Sequence, residues 1–217
     1  MSHYEYFYRT GQMRTAKIDE PDDFIVDFVS RLEEEKSTAV LDVGCGAGRN
    51  AVFLAREGFH VIGSDVSPTA LKTSSQRADD DDLRNCMFVV SSFLKLPFPD
   101  SRFNAAFSSY GLENVSLPEI KMALGEMKRV VRNGGLILST LHSTEHWRFG
   151  RGKRIGPHTF MTINMIEGKE FRFITHFFEE EDVEKLFRNL SLEILSIKET
   201  VKTTDKKRAH WIIVSKK

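Results

Sequence analysis

Residues 40–50 read VLDVGCGAGRN, an apolar run that carries one acid, Asp42, and breaks at Gly44, Gly46 and Gly48. The run Ala39-Val40-Leu41-Asp42-Val43 predicts a buried strand, and a helix is expected from about Asn50 to Glu57, capped by Gly58. Glycines at a strand-to-helix turn admit positive φ and let a ligand approach the backbone closely. In an open parallel sheet, ligands collect at the carboxyl ends of the strands. A second strand, Phe59 to Asp65, closes on a carboxylate 21 positions after Gly44. An acid there can accept both hydroxyls of a ribose.

Two ligand classes fit this pattern. Gly46-x-Gly48-x-x-Ala51 matches the GxGxxA form of a dinucleotide turn. S-adenosylmethionine is the other, and Asp42 favours it. A buried acid beside a pyrophosphate adds like charge to like charge. Beside an ammonium and a cationic sulfur it is useful.

Outward from this turn, strands and helices alternate. Asp19-Glu20-Pro21 looks like a helix start, and Phe24, Ile25, Phe28, Val29 and Leu32 give that helix one apolar face. Ser67-Pro68 opens a helix to about Ala78, and Asp79–Asp82 reads as a solvated loop. Strands are expected at 87–90, 103–109 and 136–139, with a helix from Leu117 carrying Ile120, Leu124, Met127 and Val131. Asn133-Gly134-Gly135 reads as a turn. After residue 141 the pattern changes: a loop to Pro157, a hairpin around Glu167-Gly168-Lys169, a helix at 178–190, and strands at 192–195 and 210–214. The expected fold is α/β, a Rossmann-like three-layer sandwich. Its seven-stranded sheet is mostly parallel with an antiparallel C-terminal strand. One domain spans 1–217, with an N-terminal lid or helix region at 1–37 and an acceptor-covering insertion at 142–178.

The 217 residues carry 31 Lys+Arg against 31 Asp+Glu, which disfavours a nucleic-acid binder steered by net charge. Hydrophobic residues at 41% suffice for a full core. Two cysteines make neither a disulfide framework nor a four-thiolate zinc site. No apolar stretch reaches membrane-span length and the N-terminus has no signal-peptide core, so a cytoplasmic protein is expected.

VLDVGCGAGRN at 40–50, VIGSDVSPTAL at 61–71, SSFLKLPFPDSRFNAAFSSY at 91–110 and EMKRVVRNGGLILST at 126–140 occur in this order. Over roughly 38 to 141 the chain thereby resembles the class I S-adenosylmethionine-dependent methyltransferases. GRN and the GxDxSP-like segment look most like the small-molecule and tellurite-resistance-type branch. The resemblance implies S-adenosylmethionine as cofactor. Gly44, Cys45 and Gly46 would line its methionine part with Asp42 behind them; Asp65 would take the ribose and Val66 pack on the adenine. The pair near the adenine amino group would be Ser92-Phe93, where the family usually has an acid in place of Ser92. Ser109 and Tyr110 would face the methionine end and the acceptor.

Methyl transfer from a sulfonium needs alignment and exclusion of water more than acid–base groups. The fourth strand ends Ser108-Ser109-Tyr110-Gly111 and lacks the Asn/Asp-Pro-Pro-Tyr motif of enzymes acting on planar amide or adenine nitrogens. The aromatic residues of 142–178 suit a small acceptor, with His146, Trp147 and Phe177 as candidate contacts. The ordinary reading of Phe177 and Phe178 is hairpin core. His142 is the first candidate for an acceptor-side base and His176 the second. His142 and His146 stand four apart, but HSTEH is not HExxH and no third ligand is evident, so no metal is expected. His3, His60 and His210 read as surface or strand residues. Arg148, Arg151, Lys153 and Arg154 form a basic loop, either solvated or suited to an anionic acceptor or an RNA backbone. Cys45 reads as a small residue rather than a nucleophile. Tyr4, Tyr6 and Tyr8 belong to a tail or a lid. The leading function is methylation of a small molecule, ahead of an RNA or protein acceptor. From other classes, a nicotinamide-dependent reductase and a non-catalytic cofactor-binding protein remain open. Oligomeric state is not indicated.

Overall fold

The computed structural model describes residues 3–11, 20–203 and 206–217; part of the 1–37 region, including Asp19, lies outside them. The central sheet has seven strands: β1 (Ala39–Val43), β2 (His60–Asp65), β3 (Cys86–Val90), β4 (Phe103–Ser108), β5 (Val131–His142), β9 (Glu193–Thr203) and β10 (Lys207–Lys216). Their spatial order is β3-β2-β1-β4-β5-β10-β9. β10 runs antiparallel to both its neighbours, and the other pairings are parallel. This is the expected three-layer sheet. The order reverses between β1 and β4, which opens a crevice beyond the carboxyl ends of those strands.

Successive strand residues feed opposite faces, as the period of two requires. Val40, Ala105, Leu136 and Val214 pack with Ile25, Phe28 and Leu32 of α2 (Asp23–Glu34) and Ala51 and Leu54 of α3 (Arg49–Arg56). Their neighbours Leu41, Ala106, Ile137 and Ile213 pack with Ile120, Leu124 and Met127 of α5 (Leu117–Val130) and Val183 and Phe187 of α6 (Glu180–Asn189). β1, buried from Val40 to Val43, therefore reads as a continuous apolar run rather than an alternating one.

Helix starts carry local signals. In α4 (Pro68–Asp80), Pro68 sits in the first turn and Ser67 Oγ accepts the Ala70 N–H at 3.1 Å. Ahead of α5, Glu119 reaches back to the Ser116 N–H at 2.8 Å, a capping box. α2 begins later than expected, behind Asp22, whose extended backbone precedes the first turn and whose carboxylate pairs with Arg49 at 2.7 Å. Asp79 and Asp80 are the last residues of α4 rather than loop, and Asp81 pairs with Arg56. Asn133-Gly134-Gly135 lies inside β5, where the β4 register shifts between Phe103 and Ala105. β5 runs on to His142, and β9 and β10 are about twice as long as their apolar cores, because ladder pairing continues into polar sequence.

The insertion forms its own three-stranded sheet: β6 (Lys153–Gly156), β7 (Thr159–Ile166) and β8 (Lys169–His176), in that order. α1 (His3–Arg9) bridges the two sheets. Tyr6 and Phe7 stack on Phe171 of β8, with centroids 4.9 and 5.4 Å apart. Glu5 accepts the hydroxyls of Ser67 at 2.6 Å and Thr69 at 2.7 Å at the start of α4.

Candidate active site

The crevice at the carboxyl ends of β1, β2 and β4 is lined by Asp42, Gly44, Cys45, Gly46, Asp65, Val66, Phe93, Ser109 and Tyr110. Of the ten residues expected around a cofactor, only Ser92 does not line it. Ser92 bridges to Lys95 and its Oγ accepts the Leu94 N–H, closing a tight turn; its neighbour Ser91 lines the crevice instead. Tyr4 and Tyr8 from α1, with Ala47, Arg49, Asn50 and Gly111, complete the lining. Neither tyrosine carries a motif; α1 is brought there by long-range contacts.

The glycine turn is required sterically. Gly44 has φ +74°, and a Cβ on it would meet Gly111 Cα at 3.3 Å. A Cβ on Gly46, at φ +54°, would stand 2.4 Å from the Tyr8 hydroxyl. Tyr110 is itself at φ 57°, its N–H donating to Thr140 Oγ1 at 2.7 Å. A non-glycine residue in that region is strained unless its surroundings fix it, and such residues cluster at functional sites.

The two acids differ. Both oxygens of Asp65 already accept backbone N–H groups, from Gly46 and Ser67, each at 2.9 Å. Those bonds lower its pKa, but burial outweighs them and the carboxyl sits above its ordinary value. Asp42 is 2% exposed, and its Oδ2 has no hydrogen-bond partner. Burial, and then the nearby Asp65 charge, push it well up. A buried carboxylate oxygen without a partner is costly, and an ammonium or a sulfonium cation would satisfy it. A pyrophosphate would aggravate it. The residues therefore fit S-adenosylmethionine. The Cys45 thiol is pushed well up, first by burial and then by Asp42, which is the opposite of an activated nucleophile.

A second cavity adjoins the first, sharing Tyr4. Trp147, Phe160, Phe173 and Phe177 supply its aromatic wall, and Asn114, Arg148, Arg151 and Asn164 its polar groups. Trp147 carries three cations against its ring: Arg148 at 5.5 Å, Arg151 at 5.0 Å and Lys206 at 4.3 Å. Tyr4, at the junction, has its phenol pushed up to about 12 by burial, against the effect of its hydrogen bond with Asn114.

The expected histidines are elsewhere. His142 is 2% exposed, lines neither cavity, and ends β5 instead of following it. His146 packs on it at 4.4 Å, also outside both linings. His176 faces a third cavity with His158 and Asp182, and its Nδ1 lies 2.7 Å from Thr159 Oγ1. The structure thus places neither His142 nor His176 on the wall of these two cavities. His210, read as a strand residue, is on β10 and buried, its ring 5.0 Å from that of His142. Among the described residues, His142, His146 and His210 place three ring nitrogens within 4.8 Å of one another. The expectation that no third ligand stands near the histidine pair is corrected: β10 pairs His210 directly with His142, a contact invisible in local spacing. Burial lowers the His142 imidazole to about 4 and the His146 imidazole to about 3, so both are neutral near pH 7.

Residues 40–135 match the family model described as a methyltransferase domain. Residues 40–135 thus form a methyltransferase domain, carried on the strand order β3-β2-β1-β4-β5-β10-β9. This domain is similar over 104 residues, at 36% identity, to the demethylmenaquinone methyltransferase of Listeria welshimeri, covering 46% of this chain and 43% of that one. A Geobacillus kaustophilus protein of the same name is 34% identical over 128 residues, 57% and 53% of the two chains. The chain thus matches about half the length of these curated relatives. In fold it is similar to a Methanosarcina mazei S-adenosylmethionine-dependent methyltransferase, with TM-score 0.75 and 22% identity over 91% of this chain and 98% of that one. It is also similar to the Burkholderia thailandensis 1,6-didemethyltoxoflavin-N1-methyltransferase, with TM-score 0.68 and 14% identity over 98% and 84%. Among the described residues no helix is long and apolar enough to cross a membrane.

Proposed function

We propose that the chain is an S-adenosylmethionine-dependent methyltransferase whose acceptor is a small aromatic molecule bearing an anionic group, held in the second cavity. The observation that carries this reading is the adjoining of two unlike cavities at Tyr4: one with a buried, unpartnered carboxylate, the other aromatic with arginines. Asp42 faces the cationic methionyl end, Asp65 and its backbone donors take the ribose, and Val66 and Phe93 flank the adenine. S-adenosylmethionine, when bound, supplies an activated methyl carbon. An acceptor lone pair forms the new bond to it as the carbon–sulfur bond breaks, giving S-adenosylhomocysteine and the methylated acceptor.

The chain's contribution is placement. Tyr4 and Tyr8 close the crevice from α1 as a lid, which excludes water. Trp147 stacks the acceptor against a wall that the buried Phe177 backs, and Arg148 and Arg151 hold its negative end. With no imidazole on either wall, an acidic acceptor proton leaves to solvent or to the acceptor's own anion. The relatives named for demethylmenaquinone and the resemblance to the small-molecule branch support a small acceptor. The two unpaired cysteines, Cys45 and Cys86, support a reducing compartment, the cytoplasm. The three cations on Trp147 equally suit a phosphate backbone, so RNA is the second reading. Labelled methyl transfer measured with small aromatic acids and with RNA separates the two. Transfer to the acids, lost in Arg151→Ala, is expected; salt-sensitive transfer to RNA alone would overturn the small-acceptor reading.

A further inference from the structure

We infer that His142, His146 and His210 form a binding site for one divalent transition-metal ion of the zinc class, with Glu113 as a positioning residue. The three rings come from the end of β5, the turn that follows it, and β10, and all are buried. Their facing nitrogens lie within 4.8 Å of one another, and both nitrogens of His142 have no hydrogen-bond partner. Leaving such buried groups unsatisfied is costly. A shared cation satisfies the cluster at once. A Zn–N bond of about 2.0–2.1 Å puts tetrahedral donors roughly 3.3 Å apart, so the rings need to close by only about 1–1.5 Å.

Glu113 contacts two of the rings. Its Oε1 is 2.8 Å from His210 Nε2 and its Oε2 is 3.5 Å from His142 Nε2. A carboxylate that takes one ring N–H fixes the tautomer and frees the other nitrogen to ligate. Phe177 at 5.4 Å from His142 and Tyr110 at 5.0 Å from His210 wall the site. His146 Nδ1 accepts the Arg148 N–H at 3.2 Å, a long bond that gives way if Nδ1 ligates. Three imidazoles without thiolate suit zinc, nickel, copper or iron, not calcium or magnesium. The ion would tie β5, β10 and the 143–149 turn together behind Tyr110, on the wall of the cofactor crevice.

The test uses the full chain without an affinity tag, stripped by a chelator and titrated with Co²⁺ and Zn²⁺. One equivalent of Co²⁺ giving visible d–d bands, displaced by Zn²⁺, is expected. His142→Ala and His210→Ala should lose the bands, and His158→Ala should keep them. Glu113→Gln should keep the spectrum with affinity on the order of 10–100-fold weaker. Should the histidine variants fail to fold, wild-type unfolding decides: Zn²⁺ raises the midpoint and the chelator lowers it. No bands with an unmoved midpoint, or bands lost in His158→Ala but not in His210→Ala, would overturn the site.

Discussion

Asp42 is held against its own preference. Its oxygen is buried, faces Asp65 and has no partner, so folding raises its affinity for a proton. A folded-state pKa above the unfolded one means the folded chain binds more protons, so this group's contribution to stability falls as pH rises through the carboxylate range. Asp42→Asn should therefore raise the thermal midpoint of the ligand-free protein near pH 7. The same variant should lose most of the stabilisation that S-adenosylmethionine gives the wild type. A cation lowers the pKa of the acids beside it, so cofactor binding should release protons and strengthen as pH rises through the range in which Asp42 and Asp65 ionise. Calorimetry in buffers of different ionisation enthalpy reads that release; proton uptake would contradict it. Asp65→Ala should weaken cofactor binding by about 1–3 kcal/mol, because the ribose hydroxyls lose a buried acceptor. Gly48→Ala tests the turn itself: at φ +80°, with Ser74 Cβ only 2.7 Å from the added methyl, it should cost at least about 1 kcal/mol of stability, read by denaturant unfolding.

Among the elements, α1 is the one whose position decides access. Hydrogen bonds from Ser67 and then Thr69 hold Glu5 ionised and below its ordinary pKa. A depressed folded pKa gives stability that is present above the unfolded value and is lost as pH falls through the folded one. Docking of α1 on α4 should therefore loosen under acid conditions, seen as lower amide protection in residues 3–9 relative to the intrinsic exchange rate at the same pH. Glu5→Ala should show the same at neutral pH and bind cofactor several-fold more weakly; unchanged exchange would mean that α1 is held by its aromatic contacts to β8 alone.

The elements also separate what is legible in sequence from what is not. β1, the glycine turn and Asp65 are legible because one short stretch carries both the period and the chemistry. The ends of β9 and β10 are not, because ladder pairing with a neighbour extends strands through Lys and Thr that no local pattern marks. Ser92 was displaced by a tight turn. Tyr4 and Tyr8 reach the crevice through contacts some 60 and 160 residues away in the chain, such as Glu5 with Ser67 and Tyr6 with Glu167. His210 joins His142 only through antiparallel register, which sequence spacing cannot express.

At the scale of the whole molecule, a rigid sheet presents a cation-seeking crevice, and an inserted sheet hangs an aromatic cavity beside it. The central claim is the identity of the first ligand. Calorimetric titration of the full chain with S-adenosylmethionine, S-adenosylhomocysteine and NAD(H) tests it most directly. Micromolar binding of the first two, abolished or much weakened in Asp65→Ala, and no heat with NAD(H) is the result the structure predicts. Saturable binding of NAD(H) with none of the adenosyl ligands would contradict it.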